Sequence, residues 1–279
     1  MKEKINFFAV MRNIAIVAAF GFLMAACSGG GGARPASEFS YDLSDDGQGI
    51  VIKGFSGEGG SVVVPNKIED LPVVEIGDSV FDGKSLTFNW NSNISDINSV
   101  DSKKNKNAEI TSITLPNTVT KIGRSAFANT AITKFIMPDS VTEIGESLFS
   151  GCEALTEVHL SDSIEEIIHA YSTNLFGYSN KSLKKINLPK NIKRIGESVF
   201  AYCSELSELV IPDNLTSVEF GVIADVGYGK LGGQGKWTKD GVKAWDWGDA
   251  VVSNAFKGCG KLPIKTRQIL QSWGYKGDF

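Results

Sequence analysis

Histidine is almost missing from this 279-residue chain, cysteine is sparse and basic charge is in deficit. Two histidines, His159 and His169, cannot build a histidine metal cage. Glu165 and Glu166 precede His169, but they form no H-E-x-x-H pair. The formal net charge of −4 and the lack of a basic cluster argue against nucleic acid, because phosphate binding needs a positive surface. Lys103, Lys104 and Lys106 lie in an asparagine-rich stretch and read as solvated. The apolar run Ile14–Ala26 falls short of the roughly 20 residues that a membrane-spanning helix needs. One apparent cofactor motif, G-Y-G-K-L-G from Gly227 to Gly232, is followed by G-Q-G-K-W-T-K-D-G. That stretch cannot open the helix that aims amides at a pyrophosphate, so no cofactor is expected.

What the chain has in abundance is one phrase. It reads I-T-S-I-T-L-P-N-T-V-T-K-I-G-R-S-A-F over Ile110–Phe127, and I-T-K-F-I-M-P-D-S-V-T-E-I-G-E-S-L-F over Ile132–Phe149. It returns as L-K-K-I-N-L-P-K-N-I-K-R-I-G-E-S-V-F over Leu183–Phe200. Aligned on Pro116, Pro138, Ser161, Pro189 and Pro212, the steps are 22, 23, 28 and 23 residues. A repeat of this size cannot bury its own apolar face, so the units must stack into a solenoid. Before each proline the residues alternate in–out–in, the period of a strand with one buried face. A second apolar pair such as Val141 and Ile144 follows, then a glycine. That glycine predicts either a positive backbone angle or close approach of the next coil. Phe127, Phe149, Phe176, Phe200 and Phe256 are expected to stack as an internal column.

Cys152, Cys203 and Cys259 each stand three residues after a repeat phenylalanine. Equivalent repeat positions make them one column of small buried residues rather than a zinc site. Cys152 and Cys203 are a whole coil further apart than neighbours, roughly 10 Å, which is too far for a disulfide.

An earlier unit spans Val62–Phe81, giving about six coils with two insertions, near 83–107 and 221–252. Phe39, Tyr41 and Leu43 alternate toward a turn at Asp46-Gly47 and a return strand at Ile50–Ile52, which predicts an N-terminal hairpin cap. Pro263 can open a C-terminal capping helix that carries Ile269, Leu270 and Trp273 inward and stops at Gly274. The fold class expected is an α/β repeat solenoid, with parallel strands on one face and short helical or turn segments opposite.

The N-terminus reads as a targeting segment. Lys2, Lys4 and Arg12 precede the apolar run, which ends in L-M-A-A-C at Cys27. That ending resembles a bacterial lipobox, although Met24 replaces the usual aliphatic residue. The resemblance implies a signal peptide over 1–26, acylation of Cys27, a flexible glycine-rich tether over 27–38 and a repeat domain over 39–279. Loss of residues 1–26 would leave 25 basic and 31 acidic residues, a net charge of −6.

Two surfaces stand out as candidates for partner binding. The outward strand positions form one column of Ser112, Lys134, Glu157, Lys185 and Glu208, and a second of Thr114, Ile136, His159, Asn187 and Val210. Alternating lysine and glutamate can serve as a charge ladder between coils or as a ligand surface. The other candidate is the insertion carrying Tyr228, Trp237, Trp245 and Trp247. Its aromatics can pin the loop to the solenoid or contact a partner.

The phrase I-x-L-P-x-x-V-T-x-I-G-x-x-x-F-x-x-C-x-x-L, with V-V-P-N-K-I-E-D-L-P-V-V-E-I-G in the first unit, resembles the BspA-type leucine-rich repeats of bacterial surface proteins. The resemblance covers roughly residues 39–279. It implies a curved superhelix without catalytic residues; together with the lipobox, the expected location is the cell envelope, lipid-anchored at its outer surface. The implied role is attachment to host matrix proteins or other bacterial cells. A glycan-binding envelope lipoprotein using the tryptophan loop is the alternative.

Overall fold

The computed structural model describes residues 32–84, 105–167, 175–176, 180–196, 198–221, 237–238, 241–242 and 255–279. Residues 1–26, expected to be a signal peptide, together with Cys27, Trp90, His169, Tyr228, Trp245, Trp247 and the Gly227–Gly232 motif, lie outside them.

Each coil supplies one strand to a first row. This row comprises β3 (Gly60–Val63), β6 (Ile110–Thr114), β8 (Lys134–Ile136), β10 (Glu157–His159), β12 (Lys185–Asn187) and β14 (Glu208–Val210). The middle residues Phe135, Val158, Ile186 and Leu209 are buried and their neighbours face outward, so the expected alternation holds. Strands β8, β10, β12 and β14 pair parallel and in register, and β3 pairs with β6.

The repeat proline ends each first-row strand and turns the chain. Its carbonyl accepts from the amide three residues on, as in Val119 to Pro116, Val141 to Pro138, Ile192 to Pro189 and Leu215 to Pro212. Ser161 makes the same turn with Ile164. Its buried hydroxyl donates to the Val141 carbonyl at 2.7 Å, which satisfies the polar group that replaces the proline ring.

After the turn comes a second row of strands, where helical or turn segments were expected. It comprises β5 (Leu71–Ile76), β7 (Lys121–Ile122), β9 (Glu143–Ile144), β11 (Glu166–Ile167), β13 (Arg194–Gly196) and β15 (Glu219–Gly221). The hairpin of β1 (Phe39–Leu43) and β2 (Ile50–Phe55) is antiparallel, and β2 joins this row through β5. The short strand β4 (Lys67–Ile68) folds back on β5.

The glycine that follows β5, β7 and β9 is there for close approach. A Cβ on Gly123 would lie 2.6 Å from the Asp78 amide nitrogen, and one on Gly145 would lie 2.3 Å from that of Arg124. The positive backbone angle falls two residues later, on Ser79, Ser125, Ser147 and Ser198, with φ between 53° and 61°.

The aromatic column runs along the core. Ring centroids of Phe81, Phe127, Phe149, Phe176, Phe200 and Phe256 succeed one another at 5.0–5.9 Å. Phe55 and Phe39 extend it at the N-terminal end, and Tyr275 adds an edge contact to Phe256. The cysteine column lies beside it, with all three thiols buried and free. Cys152 Sγ donates to the Phe127 carbonyl and Cys259 Sγ to the Phe200 carbonyl, each at 3.1 Å. Asn180 performs this task in the enlarged coil, reaching the Phe149 carbonyl at 2.7 Å. Cys152 and Cys259 therefore each hold a carbonyl of the preceding coil.

At the C-terminal end, α1 (Ile264–Ser272) buries Leu270, and Gly274 takes a φ of 104°. Within the second insertion, β16 (Trp237–Thr238) and β17 (Gly241–Val242) form an antiparallel pair.

Candidate functional site

The first-row face brings the sequence-derived columns together. Register pairs Lys134 with Glu157, Glu157 with Lys185 and Lys185 with Glu208. The corresponding ion pairs measure 3.1, 3.7 and 3.7 Å. Ser112 continues the column by donating to Ser61 Oγ at 2.9 Å.

Glu157 is the hub. Beyond the two lysines, His159 Nε2 lies 2.6 Å from Glu157 Oε1, and an ionised carboxylate has only acceptors, so the ring nitrogen donates. The hydrogen bond from His159, followed by that from Lys134, holds the Glu157 carboxyl down at about 2. The charges of this column are thus consumed within the protein, and a partner approaching it meets a nearly neutral lattice.

The second column differs. Ile136 and Val210 are 60% and 46% exposed, unusually open for branched aliphatics in a sheet. His159 lies between them, partly tied by Glu157. Asn187 is committed elsewhere: its Oδ1 accepts from the Leu160 amide at 2.9 Å and its Nδ2 donates to the Leu160 carbonyl at 3.3 Å. At the other junctions that amide position bonds to backbone, as Met137 does to His159 and Leu188 to Val210. The Asn187 side chain therefore bridges the junction before the enlarged coil. Nothing in the spacing betrays this role.

A concavity lies on the second row. It is a shallow groove of about 310 Å³ lined by Asp78, Lys121, Arg124, Glu143 and Glu146 above Gly123 and Gly145. Arg124 pairs with Asp78 at 3.4 Å and Glu146 at 3.6 Å, so these charges are matched across coils. The reading of outward strand positions passed over this groove, although the acid–base–acid order Asp78, Arg124, Glu146 at equivalent positions is visible in the sequence.

Chemistry is disfavoured in the cysteine column. Burial raises the Cys152 thiol to about 11 and Cys259 to about 12, and Cys203 rises as well. A thiol so raised supplies almost no thiolate near neutrality. Among the described residues, no three metal-ligating side chains converge. Trp237 is placed only as part of β16, and its three aromatic companions lie outside the described residues.

Comparison with known proteins agrees with this architecture. The model of the BspA type leucine rich repeat region matches in six copies, over residues 74–175 and 168–227. Among solved structures, the T. pallidum leucine-rich repeat protein superposes with a TM-score of 0.56 at 24% identity, covering 89% of this chain and 99% of that one. A leucine-rich cell surface protein of Faecalibacterium prausnitzii matches at 20% identity and a TM-score of 0.43, over 70% of this chain and 48% of its own. A leucine-rich repeat protein of Bacteroides ovatus matches at 26% identity and 0.37, over 66% and 56%. No curated protein matches the chain. The repeat phrase, its stacked strands and the six-copy match place this chain in the BspA-type leucine-rich repeat family.

Proposed function

We propose that the chain is a lipid-anchored envelope protein that binds a macromolecular partner through its first-row face, in attachment to host matrix proteins or to other bacterial cells. The observation that carries this reading is the exposed pair Ile136 and Val210 on an in-register sheet whose neighbouring charges neutralise one another. Such a face offers apolar contact without the cost of stripping water from unpaired charge. Proteins built on this repeat are generally non-enzymatic interaction scaffolds, and the cell-surface description of the F. prausnitzii protein accords with an outward location. The lipobox-like L-M-A-A-C supports anchoring through Cys27.

Location is tested with an epitope placed between Lys84 and Asn105, followed on intact cells treated with protease beside a periplasmic control. Loss of the epitope with survival of the control supports attachment. Survival until the envelope is breached overturns it. Trp245→Ala with Trp247→Ala separates the glycan alternative. Under the proposal protein capture survives that change, whereas loss confined to glycan capture moves the site to the insertion.

A further inference from the structure

The first coil's outer edge is held by a residue that composition assigns to a linker. Arg34 lies in the run G-G-A-R-P-A-S, yet its backbone amide donates to the Val63 carbonyl at 2.8 Å. Its Nη2 reaches the carbonyls of Glu58, Gly59 and Ser61, all at 3.0 Å, and its Nε reaches Ser61 at 3.2 Å. Nη1 pairs with Glu38 at 3.4 Å, and the guanidinium stands over the Phe55 ring at 6.0 Å. Residues 36–38 form one 3-10 turn that leads into β1. The Glu38 carbonyl also accepts from the Ser56 amide at 2.8 Å. Residues 34–38, expected within a flexible tether, are therefore fixed to the domain. A guanidinium spends most of its donors here on backbone carbonyls that no other side chain serves among the described residues.

We infer that Arg34 is a mooring residue: it sets where the chain leaves the repeat domain and so holds the first coil at a short, defined stand-off from the lipid surface. This rests on the reading of Cys27 as the acylated residue. Arg34 lies seven steps along the chain from Cys27, and Phe39, where β1 begins, lies twelve. Fully extended, those lengths reach at most about 25 Å and about 42 Å. Release of the whole segment as far as Phe39 would lengthen the maximum stand-off about 1.7-fold. With the clamp closed, the domain is presented from its first-coil end, and a partner must come close to the lipid surface to meet the first-row face.

The test uses the full-length lipidated chain in phosphatidylethanolamine–phosphatidylglycerol vesicles. A donor fluorophore at Lys67→Cys reports energy transfer to headgroup acceptors, and a spin label at Ala36→Cys reports local mobility. The parent chain without each added cysteine serves as the blank. In the parent background the spin label is immobilised and transfer is strong. Arg34→Ala mobilises the label and weakens transfer, with an unchanged melting curve. Six Gly/Ser residues inserted between Ala33 and Arg34 weaken transfer while the label stays immobile, which covers the case in which Arg34→Ala misfolds. Equal label mobility with and without Arg34, or equal transfer in all three chains, overturns the mooring. Failure to partition into vesicles removes the anchor reading and the stand-off with it, and the label then reports the clamp separately.

Discussion

The third and fourth coils meet on both faces, and the two faces meet differently. On the first row, β8 and β10 pair in register, with Lys134 on Glu157 and Phe135 beside Val158. On the second row, β9 ends one sheet and β11 begins another, and no strand pairing joins them among the described residues. Two sequence differences account for the contrast. The first-row column alternates Lys134, Glu157, Lys185, Glu208 without interruption, whereas the second-row column runs Glu75, Lys121, Glu143, Glu166, Arg194, Glu219 and slips phase at this junction. The residue after Ile167 is Ile168, where the neighbouring coils have glycine. Gly145 already has a virtual Cβ 2.3 Å from the adjoining backbone, so a branched side chain at that position is incompatible with the spacing of the paired coils. Neighbouring second-row strands pair where the later coil brings the small residue and the charge order recurs. Where they fail on one face, the other face and the phenylalanine column carry the junction.

The strongest way to break this arrangement is to remove the column where both faces depend on it. Phe149 contacts Phe127, Phe135 and Phe176 with centroids 5.3–5.8 Å apart. Phe149→Ala should cost about 3–5 kcal/mol in denaturant unfolding. A loss below about 1 kcal/mol would show that the strands alone hold the third and fourth coils.

The contrast can next be moved by one coil. Gly145→Val forces a side chain into the paired junction of β7 and β9, with an expected loss of about 1–3 kcal/mol. Hydrogen exchange should then rise at Thr142 and Gly145, whose amides donate to Thr120 and Ile122. Unchanged exchange there would contradict the close-approach role of the glycine. In the unmodified chain the Glu165 amide, facing the broken junction, should exchange at least about tenfold faster than that of Lys193, which donates to the Glu165 carbonyl.

Acid sharpens the first-row side. The Glu157 carboxyl is held at about 2, below its ordinary 4.5, so its stabilisation is complete above pH 4.5 and is lost as pH falls toward 2. The melting-temperature gap between the parent chain and Glu157→Gln should therefore close over that window. A gap constant from pH 6 to pH 2 would remove Glu157 as the hub. The smallest effect is expected at Ser147, whose φ of 55° a glycine adopts freely. Ser147→Gly should be neutral or stabilising by up to about 1 kcal/mol, the opposite sign to Gly145→Val.

Much of this was legible from the residues. The proline-aligned phrase, the phenylalanine column and the Lys134–Glu157–Lys185–Glu208 ladder all rest on spacing, and spacing survives stacking. Beyond β5 the second row was not legible as strand, because its segments of two or three residues are too short to show alternation. The sequence left open which of two roles the repeat glycine serves. Close approach is its role, and the left-handed angle passes to serine, a residue that gives no such signal. Arg34 and Asn187 escaped for a common reason: their partners are backbone groups, and every residue has those. Ile136 and Val210 could be placed on a face from sequence, but their degree of exposure depends on neighbours that only the fold supplies.

The most direct test of the account measures binding of the full-length protein to immobilised matrix proteins and to whole bacterial cells. The parent chain is compared with Ile136→Asp/Val210→Asp and with Arg124→Glu on the opposite row. The account predicts that the double variant loses at least about tenfold in affinity, roughly 1.4 kcal/mol, at an unchanged melting temperature, while Arg124→Glu binds as the parent does. Equal binding by all three chains, or loss only in Arg124→Glu, would contradict the first-row face as the site.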